Sequence, residues 1–341
     1  MDLIGTVRRE APGRAAGPAP RTWPIVLVVV LALGVTSLVV RWAASSRFPQ
    51  VDNFFLIFGS LLIEAFPFVV LGALVSAVIE VFVPVRVFER LARVPGFLQV
   101  PMAGLGGFAF PVCECGSVPV ARRLVVKGLR PSAAVTFMLA APILNPVVLG
   151  ATAIAYRGRE LMWAMVLGRA VLGLLAAMAV GWVVGRRSRE ELLAKGRAHD
   201  HEDVEPGERR WSAFSGQMAG DLVMLGRYLV VGAAVAAALQ TFIPQSFLGG
   251  LAGTPVLNLV ALMGLAAVLS LCSESDAFVA ASFVQFGPAA QLAFLVFGPM
   301  IDAKLVLLYS GAFGKAFTRT TAIVAAAVTL VGALWLEVLI G

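Results

Sequence analysis

Apolar residues run along this chain in long blocks separated by short polar punctuation. A hydrocarbon core of about 30 Å needs roughly 20 apolar residues in a helix. Blocks of that kind lie near 24–42, 54–82, 131–155, 161–185, 218–242, 288–311 and 320–340. Two more apolar stretches, 100–120 and 254–286, are interrupted by polar clusters and predict broken re-entrant hairpins, each entering and leaving on one side. Residues 1–23 carry Arg8, Arg9, Arg14 and Arg21 among prolines and glycines and predict a disordered basic tail. The 24–42 block, closed by Arg41, predicts a retained signal-anchor helix, against the competing reading of a cleaved signal peptide. A polar, charge-mixed linker at 186–217 separates a first membrane part, 50–185, from a second, 218–341.

These two parts resemble each other. Leu71-Gly72-Ala73 and Phe82-Val83-Pro84 match Val231-Gly232-Ala233 and Phe242-Ile243-Pro244 at one offset, and Cys113 matches Cys272 one residue short of it. Further on, Pro131-Ser132-Ala133-Ala134 matches Pro288-Ala289-Ala290-Gln291, and Pro142-Ile143-Leu144-Asn145 matches Pro299-Met300-Ile301-Asp302. The positive-inside rule sets the direction of each part. With a cytoplasmic amino terminus and two hairpins, 20 of the 27 Lys and Arg fall on the cytoplasmic face. Residues 54–82 then run inward and 218–242 outward. The predicted fold is an all-α polytopic membrane protein of two inverted repeats, each with a broken re-entrant hairpin, plus the signal-anchor helix. That architecture points to a transporter whose site lies at the repeat interface, although channels also use inverted repeats.

Composition agrees. Of 341 residues, 59% are AVILMFWYC and 14% are charged, where a soluble domain carries about 25% charged. Mean hydropathy is +0.89. The net charge of +7 is explained by topology, so no nucleic-acid partner is implied; the partner is the lipid bilayer. Three cysteines cannot build a disulfide framework, and two histidines cannot fill a multi-histidine cage. His199-Asp200-His201-Glu202-Asp203 in the linker is a weak metal candidate whose plainer reading is a solvated segment. Gly104-x-Gly106-Gly107 lacks the lysine and helix context of a phosphate cradle, so no nucleotide or other cofactor is expected, and no enzymatic activity.

The candidate chemistry sits in the two polar clusters. The first is Pro111-Val112-Cys113-Glu114-Cys115-Gly116-Ser117-Val118-Pro119, where Gly116 and Pro119 are expected to break a helix. The second is Leu271-Cys272-Ser273-Glu274-Ser275-Asp276. Glu114, Glu274 and Asp276 are costly in lipid and should face a wet cavity, a counter-charge or an ion, unless they cap short helices at the interface. All three cysteines lie in these clusters. Cys113, Cys115 and Cys272 are a candidate metal site, three sulfurs for one thiophilic atom if the hairpins meet. The competing reading is small apolar filler. Cys-x-Cys is not the Cys-x-x-Cys of dithiol oxidoreductases.

Asn145, between Pro142 and Pro146, and Asp302, after Pro299, lie about 21 Å into their spans at 1.5 Å per residue. Freed carbonyls there can line a passage. Lys304, Arg227 and Arg169 are candidate partners of Asp302, Lys304 only if the helix is unwound at that point, because residues two apart do not face each other on a regular helix. Glu64, beside Pro67, is a candidate for proton coupling or for a buried ion pair.

Cys113-Glu114-Cys115-Gly116-Ser117-Val118-Pro119-Val120, the following Arg122-Arg123, the Ala141-Pro142-Ile143-Leu144-Asn145-Pro146 run and Cys272-Ser273-Glu274-Ser275-Asp276-Ala277-Phe278 resemble the ArsP/YraQ-type permeases over roughly residues 50–340. The resemblance implies a multi-pass permease of the bacterial inner membrane. Some members export trivalent organoarsenicals with cysteines as proposed ligands; others are linked to zinc-responsive systems and act beside a second membrane subunit. The leading reading is a secondary transporter of a small inorganic or organometallic solute, a thiophilic metal or metalloid species such as a trivalent arsenical or zinc. Cys113, Glu114, Cys115, Cys272, Ser273, Glu274, Asp276, Asn145 and Asp302 would bind it, and Glu64, Arg169, Arg227 and Lys304 would serve coupling or structure. The rival readings are an anion permease with structural cysteines and a non-transporting scaffold or thiol-redox subunit.

Overall fold

A computed structural model of the chain describes residues 49–84, 94–109, 112–185, 210–242 and 255–340. The basic tail, the 24–42 anchor, Pro111 and the part of the linker that holds His199 and His201 lie outside the described residues. Among the described residues every regular element is helical. The first half supplies α1 (Pro49–Phe82), α2 (Gly96–Gly106), α3 (Glu114–Val126), α4 (Pro131–Leu144), α5 (Pro146–Ala155) and α6 (Met162–Val184). The second supplies α7 (Arg210–Phe242), α8 (Pro255–Leu269), α9 (Asp276–Ser282), α10 (Pro288–Phe297), α11 (Ala303–Ala312) and α12 (Lys315–Ile340). The succession of long and short helices is the same in both halves.

Five helical stretches among the described residues are long and apolar enough to cross a membrane: Gln50–Phe82, Pro131–Ala155, Met162–Val184, Phe214–Phe242 and Lys315–Val338. Pro131–Ala155 has 61% of its most apolar window buried inside the protein, against 17% for Gln50–Phe82 and 22% for Lys315–Val338. The first is therefore interior, and the other two turn most of their apolar side chains outward, as lipid-facing helices do. Lipid is as apolar as leucine, so helices associate there through close packing at small residues. Ala133, Ala134, Ala140 and Ala141 on α4 and Ala176 and Ala177 on α6 are fully buried, and these two helices pack together.

The expected spans are broken by local chemistry. Asn145 precedes Pro146, and a residue before proline is pushed out of the helical region. Its ψ of 128° ends α4, and Pro146 opens α5. The 288–311 block, expected as one span, falls instead into α10 and α11, separated by Gly298 to Asp302, with Asp302 extended at φ −140°, ψ 176°. In the second cluster α8 stops at Leu269, and Ser270 turns the chain in the left-handed region, at φ 46°.

The first cluster departs from expectation in one respect. Gly116 and Pro119 do not break a helix; α3 starts at Glu114 and runs through both. The break lies before Cys113, which caps α3 in an extended conformation. Gly116 serves helix contact instead. A Cβ on Gly116 would stand 2.9 Å from the Phe68 carbonyl oxygen, and one on Gly72 would stand 2.5 Å from the Gly116 Cα. Close packing of α3 on α1 at this crossing holds helical a segment whose local preferences oppose it. Pro119 has no N–H to offer the Cys115 carbonyl one turn earlier, so that oxygen lacks its usual helical donor.

Corresponding elements of the halves meet in a regular way. α1 packs on α7 and α6 on α12, while α3 packs on α11 and α9 on α5. The two polar clusters are thereby carried to the interior between the halves.

Candidate functional site

Glu114 is wholly buried at the first turn of α3, and each of its oxygens is held by the other half of the chain. The Lys304 Nζ donates to Oε1 at 3.0 Å, and the Ser273 hydroxyl donates to Oε2 at 3.2 Å. Lys304 is the second residue of α11 and is itself buried. Its ammonium also stands 3.6 Å from Asp302 Oδ2 and 4.0 Å from Cys272 Sγ. A lone ammonium could not be held at this depth, so the surrounding acids account for its presence.

The three cysteines are free and buried, and two of them, Cys115 and Cys272, lie near this pair. Because Cys113 is extended and Cys115 is already helical, the two are not forced to opposite sides, and the Cys115 thiol lies against the Cys113 side chain. Cys115 and Cys272 both lie within electrostatic reach of Lys304 and Glu114, and Cys272 within reach of Cys115. Among the described residues no group of three or more His, Cys, Asp or Glu is arranged to hold a metal ion.

A second buried ion pair crosses the halves in the opposite sense. Arg169 on α6 is fully buried and donates to both Asp276 carboxylate oxygens, at 2.9 and 2.8 Å. It also donates to the Ser273 carbonyl at 3.0 Å and to the Thr152 hydroxyl on α5 at 2.9 Å. Planar guanidinium matches carboxylate in this two-pronged way, which fixes geometry as well as charge. Arg169 therefore bolts the start of α9 to α5 and α6.

Asn145 and Asp302 do the same work at the two breaks. The Val147 N–H donates to Asn145 Oδ1 at 2.9 Å, and the Leu305 N–H donates to Asp302 Oδ1 at 2.6 Å. Each caps the amino end of the short helix that follows. Asp302 differs in carrying a charge, and its Oδ2 has no hydrogen-bond donor. Glu64 is half-buried on α1 and accepts from the Ser275 hydroxyl at 3.3 Å. Glu274 is half-buried beside Glu114 and Glu64, with Oε2 lacking a hydrogen-bond donor.

Of the cationic candidates, Lys304 joins Glu114 and Asp302, while Arg169 is committed to Asp276. Arg227 stands apart, exposed on α7 with its guanidinium over the Tyr228 ring at 4.7 Å. Lys304 reaches Asp302 because the chain is extended there, the condition the spacing required. Thr152 escaped the sequence reading. It lies seven residues beyond Asn145, two turns along the same face, and that spacing was the available signal. A buried network of Ser76, Gln217 and Asp221 was missed too: Ser76 Oγ donates to Asp221 Oδ2 at 2.7 Å, and Gln217 Nε2 donates to Oδ1 at 3.1 Å. The signal was Asp221, an acid inside an apolar block.

A helical membrane protein with buried, cross-linked charges at broken helices belongs to the class that passes solutes across a bilayer. The family model described as "Predicted permease" (ArsP_1) matches residues 50–337, and the chain belongs to this family. It is 38% identical over 277 residues to the UPF0718 protein YcgR of Bacillus subtilis (strain 168), covering 80% of this chain and 92% of that protein. It is 33% identical over 263 residues to a putative two-component membrane permease complex subunit of Streptococcus mutans serotype c (strain ATCC 700610 / UA159), covering 76% of this chain and 87% of that one. No solved structure gives a significant match.

Proposed function

We propose that this permease is a secondary transporter of a small thiophilic metal or metalloid species, such as zinc or a trivalent arsenical. The convergence of Cys115 and Cys272 on the Glu114–Lys304 pair, with Cys113 against Cys115, carries this reading. As isolated apolar filler, three cysteines would have no reason to share one charged centre. Soft thiol ligands beside a carboxylate suit borderline and soft ions. Lys304 and Arg169 argue against an anionic solute, because each is already matched by a carboxylate.

Alternating access would use two inverted halves, 50–185 and 218–341, in a bacterial inner membrane with the amino terminus cytoplasmic. The crosswise packing of α3 on α11 and α9 on α5 supports that symmetry. Helices α2, α3, α8 and α9 have 11, 13, 15 and 7 residues, short of the roughly 20 a crossing needs, which supports two re-entrant hairpins. The printed description of the streptococcal relative supports a second membrane subunit as partner.

The test is whole-cell elemental content under zinc, arsenic, antimony and copper challenge, comparing wild type with Cys113→Ser/Cys115→Ser/Cys272→Ser. A cysteine-dependent fall in one element means export, and a rise means uptake. No change in any element, with both proteins in the membrane, overturns the reading.

A further inference from the structure

The two buried ion pairs that join the halves are unequal. Arg169 spends four donated hydrogen bonds on Asp276, the Ser273 carbonyl and Thr152, and its carboxylate partner is gripped at both oxygens. Lys304 makes one short hydrogen bond, to Glu114 Oε1 at 3.0 Å. A guanidinium held in a fork is a fixture, whereas an ammonium on a flexible four-carbon stem is a point charge that can be handed from one acceptor to another.

A second acceptor is in place. Asp302 is 1% exposed, its Oδ1 is occupied by the Leu305 N–H, and its Oδ2 has no hydrogen-bond donor although it stands 3.6 Å from the Lys304 Nζ. A shift of the ammonium by roughly half an ångström would bring that distance into hydrogen-bonding range. The contacts of Nζ show what its full departure toward Asp302 would uncover. The ammonium touches a carboxylate oxygen of Glu114 and the sulfur of Cys272 at once. A soft cation ligated by those two atoms would crowd the ammonium, so the two compete for one place.

We propose that Lys304 is a tethered stand-in for a cationic solute: its ammonium fills the cation position between Glu114 and Cys272, and the solute takes that position by sending Lys304 to Asp302. This rests on the thiophilic-solute reading above and adds to it that the solute enters as a cation. On entry, the Glu114 oxygen and Cys272 sulfur exchange an ammonium for the cation, and the Cys272 thiol proton passes to Glu64, the half-buried carboxylate within its electrostatic reach. Asp302 keeps Lys304 neutralised meanwhile, so no bare charge is left in the membrane interior. On exit Lys304 returns, Cys272 takes its proton back from Glu64, and the cation is expelled.

The test is equilibrium binding of cadmium, a soft divalent probe, to the full-length protein in detergent. Lys304→Met removes the competitor, so cadmium should bind at least about tenfold more tightly than to wild type, as expected for deleting a unit charge 3–4 Å away. The gain should vanish in Glu114→Gln/Lys304→Met, which carries neither charge of the pair. Lys304→Arg keeps the ion pair but holds it with a group that does not yield, and should bind cadmium several-fold more weakly than wild type. Equal affinity across wild type, Lys304→Met and Lys304→Arg overturns the stand-in while leaving a cysteine-dependent elemental phenotype intact. If Lys304→Met does not fold, Lys304→Arg decides alone, since affinity equal to wild type overturns the proposal. Cadmium binding to none of the folded variants overturns the stand-in and the thiophilic reading together.

Discussion

Ser273 donates to Glu114 across 3.2 Å, and the two residues are separated by 159 positions, the same offset that aligns Cys272 with Cys113. Positions that the proposed repeat matches thus bond directly to each other. In a two-fold arrangement only positions close to the axis can touch their own equivalents, as in a symmetric dimer interface. The Glu114–Ser273 contact therefore marks where the axis of the proposed inverted repeat would pass, and it passes beside the cysteines. Ser273→Ala should cost about 1.5–3 kcal/mol, the worth of a hydrogen bond to a charged group. Thermal unfolding in detergent would register it. An unchanged midpoint would show that the hydroxyl contributes nothing to holding Glu114.

The Arg169–Asp276 pair should behave as a structural bolt. Removing one partner strands a buried charge, so Arg169→Met or Asp276→Asn alone should lower stability by about 3–5 kcal/mol. The double variant should recover much of that loss, because it leaves no charge to desolvate. A double-mutant cycle on thermal unfolding measures the coupling. Additive effects of the two changes would show that Arg169 and Asp276 are not coupled and would overturn the bolt.

Gly72 and Gly232 occupy matching positions in the proposed repeat and admit the two helices that bear the Glu114–Lys304 pair. A Cβ on Gly72 would meet α3 at Gly116, and one on Gly232 would stand 2.8 Å from the Lys304 Cα. Either glycine to alanine should destabilise by roughly 1–3 kcal/mol, as overpacking does. Gly59, with nothing within 4 Å of its would-be Cβ, is the control and should tolerate alanine. Thermal midpoints and elemental transport together separate the outcomes. A Gly232→Ala protein of full stability and activity would show that Lys304 has room to shift its backbone.

The helical blocks and the two polar interruptions were legible in the sequence, for local reasons, whereas the capping by Asn145 and Asp302 was not, because both were read as polar points deep inside spans. Span length is set by bilayer thickness, and proline beside a polar residue interrupts a helix wherever it falls. The cross-half pairings were not legible in the same way. Arg169 and Asp276 lie 107 residues apart, and nothing in either segment's composition assigns one to the other. Gly116 and Pro119 misled because their helix-breaking tendencies are local, while the contact with Gly72 that overrides them is not. Lys304 was nameable as a partner of Asp302 on the condition of an extended chain at Asp302. That its principal partner is Glu114, 190 residues earlier, depends on α3 packing against α11.

Asp302 carries two jobs that substitution can separate. Its Oδ1 caps α11 through the Leu305 N–H, and its Oδ2 faces the Lys304 ammonium. Asparagine keeps a carbonyl oxygen for the cap and removes the charge; alanine removes both. Asp302→Asn should therefore fold with near-wild-type stability, since asparagine ranks with aspartate as a cap, whereas Asp302→Ala should lose about 1 kcal/mol. Transport should respond differently. Without a second carboxylate, Lys304 has nowhere to go when Glu114 is taken by solute, so elemental transport should fail in Asp302→Asn although the protein is stable and membrane-resident. Asn145 supplies the comparison, because it makes the equivalent cap with no charge and no lysine beside it. If Asp302→Asn transports at the wild-type rate, Asp302 is a cap like Asn145, and the acid that receives Lys304 must be sought elsewhere.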